Sequence, residues 1–318
     1  MSAPERPDAI VIGGGPAGLT AALYLARFRR RPLLLDGGNS RATHIPRSRN
    51  YPGFVGGVPG AELVAHMRQQ AQAHGITPLP SAVDRLERLD DGRFRASWGP
   101  PGQRQSAEAR FVLLATGASD RPPPLPYLEQ ALQEGALRYC PVCDGFETIG
   151  KSVGILTDHH GGVGEALYLR HYSDHVTLLR TSDAWAPTEE DRARLAGAGV
   201  KWVDAVVDSL RLWDNRVTTR HGESETAFDT VYAAFGMVVH NTLATALGAE
   251  CDRHGYLLTD AHHQTTVPGL YAAGDVCQGL NQIAVATGNA AIATSAIHRA
   301  LGLPGSRPRG AAPVARPA

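Results

Sequence analysis

The residues best suited to chemistry are Cys140 and Cys143, in the run Cys140-Pro141-Val142-Cys143-Asp144-Gly145. Two intervening residues bring the sulfurs within disulfide reach inside one turn. Cys-x-x-Cys settings lower one thiol pKa toward neutrality, and the thiolate is the species that attacks a disulfide. Asp144 follows directly and is placed to donate or accept a proton. The same spacing also serves zinc and iron–sulfur centres, which ask for further ligands at matched spacing, or belongs to inert thiols. Cys251 and Cys277 stand alone and read as small buried apolar residues rather than ligands. The redox disulfide is therefore the leading reading, and no metal is expected.

A second constellation is Gly13-x-Gly15-x-x-Gly18, which follows the apolar run 8–12 and opens a helical pattern over 19–29. The first glycine permits the tight turn, the second lets a pyrophosphate approach the backbone, and the third lets helix and strand pack closely. Phosphates would then sit at the helix N-terminus, where free N–H groups and the dipole favour anions. Asp36 ends the next apolar run, Leu33-Leu34-Leu35. A carboxylate there suits ribose hydroxyls, although a solvated strand end is the plainer alternative.

These motifs require strand–helix–strand units to hold them. The spacing predicts strands over 8–12, 33–35 and 111–115, and a helix over 61–74 closed by Gly75 as its C-terminal cap. Arg121 to Pro126 holds four prolines in six residues, which fits neither a helix nor a central strand, so it reads as a linker. A second unit follows, with a strand over 152–156, a helix over 162–172 and a strand over 176–179. Further strands are expected over 231–235 and 270–273. An Ala-rich helix over 282–301 would bury Ile283, Ala290, Ile297 and Leu301. Residues 303–318, rich in Pro, Arg and Ala, are expected to lack order. The fold class is α/β, with two Rossmann-like, three-layer nucleotide-binding domains, the second inserted within the first.

Composition sets the outer limits. The chain has 318 residues, 43% of them apolar and 19% charged, and its 31 Lys and Arg balance 31 Asp and Glu. That balance gives no case for nucleic acid or an anionic membrane as partner. No run nears the length needed to span a bilayer, and the polar start leads straight into a strand, so a cytoplasmic protein is expected.

Two further strand ends, Leu113-Leu114-Ala115-Thr116-Gly117 and Gly269-Leu270-Tyr271-Ala272-Ala273-Gly274-Asp275, resemble those of FAD-containing pyridine nucleotide-disulfide oxidoreductases. Together with Gly13–Gly18, Asn50-Tyr51-Pro52-Gly53-Phe54, Cys140–Gly145 and Asn281-Gln282, they follow the order and gaps of the low-molecular-weight thioredoxin reductases. The chain resembles that family over nearly its whole length. The resemblance implies a homodimer and an FAD domain split into residues 1–117 and 241–318. An inserted domain, 118–240, would carry the cysteine pair. It implies that Cys143 faces the flavin, that Cys140 attacks the partner's disulfide, and that Asp144 is the acid/base. It also implies a flavin set of Gly13, Gly15, Pro16, Ala17, Gly18, Asp36, Gly37, Arg41, Asn50, Val83, Ala115, Thr116, Gly117, Gly274, Asp275, Asn281, Gln282 and Ile283.

One part of the resemblance fails. The family's second fingerprint reads approximately Gly-Gly-Gly-Asp-Ser-Ala-x-Glu-Glu-Ala, whereas this chain has Thr157-Asp158-His159-His160-Gly161-Gly162-Val163-Gly164-Glu165-Ala166. Thr157 and His159 replace the first and third glycines, and Asp158 adds negative charge where phosphate would lie. The next strand ends in Arg180-Thr181-Ser182 instead of the His-Arg-Arg that holds a 2′-phosphate in the family. NADPH is thereby doubtful as a cofactor. Ferredoxin or another reduced flavin becomes an alternative donor, and a thioredoxin-type protein or small disulfide the expected partner. A dithiol oxidase using oxygen is the competing reading. Its relatives often carry His after the second cysteine, so Asp144 favours the reductase; a non-catalytic flavin-binding protein is a third reading. His159, His160, His171, His175, His262 and His263 are expected on exposed loops and helix ends, and Glu165 on a helix surface.

Overall fold

Ala9–Ile12 is buried along its whole length, as an apolar strand in the middle of a parallel sheet must be. The sheet around it comes from a computed structural model that describes residues 6–123 and 127–303. The described chain divides into two units. Residues 6–43, 62–118 and 239–303 form the first, and 44–61 with 119–238 form the second.

In the first unit five parallel strands lie in the order Leu270–Ala272, Phe111–Leu114, Ala9–Ile12, Pro32–Asp36 and Leu79–Pro80. Helices Pro16–Arg27 and Ile283–Leu301 pack against each other. Of the expected core positions of the long helix, Ala290, Ile297 and Leu301 are buried, while Ile283 is only half-buried. Helix Gly60–Gln72 is followed by Gly75 at φ +79°. There Ile76 N bonds back to the Ala71 carbonyl, giving the left-handed ending that the sequence predicts. An antiparallel sheet of Val83–Arg88, Phe94–Trp98 and Gln105–Ala109 covers one face of the core.

The second unit repeats this plan. Its parallel strands run Lys201–Val203, His175–Arg180, Ser152–Thr157, Thr230–Ala234 and Leu137–Arg138. A second antiparallel sheet, Ser209–Trp213, Arg216–His221 and Ser224–Phe228, again precedes the strand that re-enters the parallel sheet. Helix Gly161–Leu169 packs on the parallel sheet through Val163, Ala166 and Leu169. The chain is thus a mixed α/β protein of two similar parallel-sheet units, the fold class expected from sequence. The proline-rich stretch is coil over the part described, 121–123. The stretch expected to lack order, 303–318, lies outside the described residues apart from its first position.

Candidate active site

In the first unit the motifs converge on one edge. Gly13–Gly15, Asp36, Ala115–Gly117 and Gly274-Asp275 all follow the carboxyl ends of parallel strands. That edge is where open α/β sheets bind ligands. Backbone bonds stitch the turns together, from Gly13 N to Leu35 O, Ala115 N to Ile12 O and Ala273 N to Leu114 O. The glycines are demanded by space. A Cβ on Gly13 would stand 2.2 Å from the Ala115 carbonyl oxygen, and one on Gly18 would stand 1.7 Å from that of Gly13. Pro16 and Ala17 open the helix behind Gly15, which takes no side-chain cap. Its N-terminus therefore presents backbone rather than side chain, as a pyrophosphate site requires.

Asp36 is buried rather than a solvated strand end. It accepts from Gly38 N at 2.8 Å and from Arg68 Nη2 at 2.7 Å, with lone pairs left over for further donors. Gly37 packs toward Ala82, next to Val83 at the start of the antiparallel sheet. Arg41 pairs with Asp275 at 3.4 Å. A Cβ on Gly274 would meet those of Ala17 and Ala286 at 3.1 and 3.4 Å, so the two long helices close on this turn. Thr116 Oγ1 donates to the His240 carbonyl, and His240 N donates to that of Gly117. Asn281 Nδ2 donates to Tyr256 Oη, and Gln282 precedes Ile283 at the start of the last helix. Asn50 lies in the second unit, where its Nδ2 reaches the Val142 carbonyl at 3.5 Å.

The cysteines of the second unit form a disulfide, with S–S 2.07 Å and Cα–Cα 5.3 Å. They flank a single helical turn, Pro141–Asp144, in which Cys143 N donates to Cys140 Sγ at 3.2 Å. Pro141 suits this turn because the first helical position has no use for an N–H. Asp144 accepts from Arg138 Nη1 at 2.6 Å on one oxygen and from Tyr232 Oη at 2.7 Å on the other. Burial, and then the Asp144 carboxylate, push the Tyr232 phenol far above its ordinary value, so it acts as a donor. Neither Arg138 nor Tyr232 stands out in the sequence reading. A tyrosine inside the apolar run Thr230–Ala234 was the available signal, since a buried hydroxyl seeks a partner.

The second fingerprint turn is filled from within. Thr157 Oγ1 accepts from His159 N at 3.2 Å, donates to the His159 carbonyl at 2.8 Å, and has the Ala234 carbonyl at 3.0 Å. His159 Nδ1 accepts from Gly161 N at 2.9 Å. Gly162 N and Val163 N bond back to the carbonyls of His159 and His160. Gly162 is needed because a Cβ there would sit 2.5 Å from that of Thr157. Arg180 is spent on Asp183 and on the Asp204 carbonyl.

Three expectations are overturned, the first at His159, which is half-buried with its ring turned onto Gly161 N rather than exposed. Glu165 is not a helix-surface residue: its Oε2 is buried with no hydrogen-bond partner among the described residues. Burial, helped by the charge of Asp120, pushes this carboxyl up to about 7. His263 is half-buried rather than exposed, at φ +60°, with Nε2 beside Asn289 Nδ2 at 3.0 Å. Burial lowers its pKa. His160 is exposed and pairs with Asp191, and His171, His175 and His262 are exposed as expected. No cluster of metal-ligating side chains occurs among the described residues. Cys277 is buried and Cys251 half-buried; burial pushes the Cys277 thiol up to about 12, which suits an inert group. No helix among the described residues is long and apolar enough to cross a membrane.

Comparison with known proteins agrees with this geometry. The family described as pyridine nucleotide-disulphide oxidoreductase matches residues 7–290. Thioredoxin reductase of Treponema pallidum is 32% identical over 304 residues, 91% of this chain and 95% of its own length. The solved structure of HlmI superposes with a TM-score of 0.85 at 31% identity, covering 94% of this chain and 93% of its own. Thioredoxin reductase from Streptococcus pyogenes gives 0.82 at 28% identity, covering 92% and 97%.

Proposed function

This chain belongs to the pyridine nucleotide-disulphide oxidoreductase family and is an FAD-dependent, thioredoxin reductase-like disulfide oxidoreductase, and on that premise we propose that it reduces a thioredoxin-type protein or small disulfide with electrons from a donor other than NADPH. Ferredoxin or a second reduced flavin is the donor class in this reading. The observation that carries it is the contrast between the two fingerprint turns. Neither helix is capped by the side chain of its N-cap residue, Gly15 or His160, so the difference lies in the residues just before the second helix. Behind Thr157 the N–H groups of His159 and Gly161 already bond to the side chains of Thr157 and His159. A pyrophosphate there would have to displace those bonds and accept Asp158 beside its own charge. The residues present do not fit NADPH.

The first unit does fit FAD. Gly13, Gly15 and Gly18 would seat its pyrophosphate with Pro16 and Ala17, and Asp36 its ribose. Gly37, Arg41, Val83, Ala115, Thr116, Gly117, Gly274, Asp275, Asn281, Gln282 and Ile283 would line the remainder. When bound, FAD would supply electrons in pairs for reducing a disulfide. Two electrons and one proton convert the Cys140–Cys143 disulfide into one thiolate and one thiol. Cys140 thiolate attacks the partner's disulfide, forming a mixed disulfide and expelling a partner thiolate. Cys143 gives its proton to the expelled partner thiolate and then attacks Cys140 Sγ, restoring the pair and releasing the second partner sulfur as a thiolate. A cytoplasmic homodimer belongs to the same reading, on the family resemblance.

The test is anaerobic titration of the flavin-loaded protein, following flavin absorbance. NADPH is expected to leave the flavin oxidised, while dithionite or reduced ferredoxin bleaches it. Rapid bleaching by NADPH refutes the donor assignment. Dithiol-dependent peroxide formation in air would move the protein to the oxidase class.

A further inference from the structure

Asp144 follows Cys143 directly and shares its helical turn, Pro141–Asp144, which puts a carboxylate in the neighbourhood of the cysteine pair. Charge of like sign disfavours a thiolate and slows exchange. The fold brings a compensating charge to this place. Leu137–Arg138 pairs in parallel with Thr230–Ala234, in a register that sets Arg138 opposite Tyr232. Residues opposite one another in parallel strands share a face of the sheet, and both side chains reach Asp144. Arg138 is fixed from a second side by Thr230 Oγ1, which lies 3.2 Å from its Nε. The ion pair is well enclosed, with side-chain exposures of 14% for Arg138 and 24% for Asp144.

We propose that Arg138 is a positioning residue for disulfide exchange, holding Asp144 through its guanidinium and cancelling the carboxylate's charge beside the cysteine pair. Tyr232 completes the hold by donating to the other oxygen, so both Asp144 oxygens act as acceptors. Other polar groups around the turn have partners of their own, among them Asn50, whose Nδ2 reaches the Val142 carbonyl. Glu147, on the following turn, is paired with Arg49 at 3.7 Å. From the end of helix Gly161–Leu169, Tyr172 packs its ring against Gly145 and has its hydroxyl 3.4 Å from that of Tyr168. Arg138 is thus the cation held directly against Asp144.

The inference rests on Cys140–Cys143 being the exchanging pair, and one assay separates the two claims. Flavin-loaded protein is reduced with dithiothreitol, freed of reductant, and alkylated with iodoacetamide across pH. Each carboxamidomethylated cysteine is quantified by mass spectrometry. Arg138→Met is expected to raise the pH midpoint of alkylation at the faster-reacting cysteine by about one unit. Arg138→Lys should stay near wild type, because it restores charge without the planar fork. Asp144→Asn, which leaves the guanidinium unopposed, should lower the midpoint, and the double variant Arg138→Met/Asp144→Asn should return it toward wild type. Should Arg138→Met fail to retain flavin, Asp144→Asn decides alone. An unchanged midpoint in Arg138→Met, or a raised or unchanged one in Asp144→Asn, overturns the proposal. Absence of any alkylation at Cys140 and Cys143 after reduction overturns the exchanging pair and this inference with it.

Discussion

Glu165 makes the stability of the second unit depend on pH in a way that one substitution removes. The carboxyl sits in helix Gly161–Leu169 with Oε2 buried and no hydrogen-bond partner among the described residues. Burial first, and the Asp120 charge second, raise it from an ordinary 4.5 to about 7. Between those values the folded chain holds a proton that the unfolded chain has lost, so stability falls as pH rises through this window. Below it both states are protonated, and above it both are ionised with the cost fully present. At about 1.4 kcal/mol per pH unit, the gap is worth about 3 kcal/mol, which is a large share of the stability of an ordinary domain. Glu165→Gln keeps the shape and removes the charge. Urea unfolding of the flavin-loaded protein at about pH 5 and about pH 8 reads the effect, with the wild-type and variant curves differenced so that all other titrating groups cancel. The variant should gain about 2–3 kcal/mol relative to wild type between the two conditions, and Asp120→Asn a smaller part of it. A difference between Glu165→Gln and wild type that does not change with pH refutes the reasoning.

Two further outcomes follow from the site. Gly18→Ala puts a methyl group 1.7 Å from the Gly13 carbonyl oxygen, so the turn must move; we expect about 1–3 kcal/mol of destabilisation and loss of bound flavin, read by absorbance after gel filtration. Cys143→Ser removes one half of the disulfide without touching the first unit. It should keep its flavin and lose at least about a hundredfold in disulfide reduction, and full activity in the insulin-reduction assay with thioredoxin would contradict the exchange scheme.

Much of the fold is legible because parallel strands buried on both faces read as unbroken apolar runs. Ala9–Ile12, Phe111–Leu114, Ser152–Thr157 and Thr230–Ala234 are such runs, and each lies within a residue or two of its expected place. The antiparallel sheets were missed for the opposite reason. Val83–Arg88 is VDRLER, with half its residues exposed and an irregularity between Val83 and Arg85. Its pairing with Phe94–Trp98 is a long-range fact that charged local sequence does not announce. Gly13 and Gly18 were readable because space alone forbids a side chain there. Arg138 and Tyr232 were not, since they meet only through the register of two strands far apart in the chain.

The second fingerprint shows where sequence reasoning stops and geometry takes over. Replacing glycine by Thr157 and His159 foretells lost space, an obstacle that a small shift of the backbone would relieve. The structure adds a different obstacle. The Thr157 hydroxyl takes the His159 N–H in the turn, and the His159 ring takes the Gly161 N–H at the start of the helix, so the turn satisfies these donors itself. Reversing this takes more than restoring room. Thr157→Gly alone would still leave His159 bonded to Gly161, whereas Thr157→Gly together with His159→Gly frees both donors. If the capping argument is right, flavin reduction by NADPH should remain absent in the single variant and first become measurable in the double one. Equal gains in the two variants would mean that steric bulk at Thr157, and not the occupied N–H groups, is what keeps the dinucleotide out.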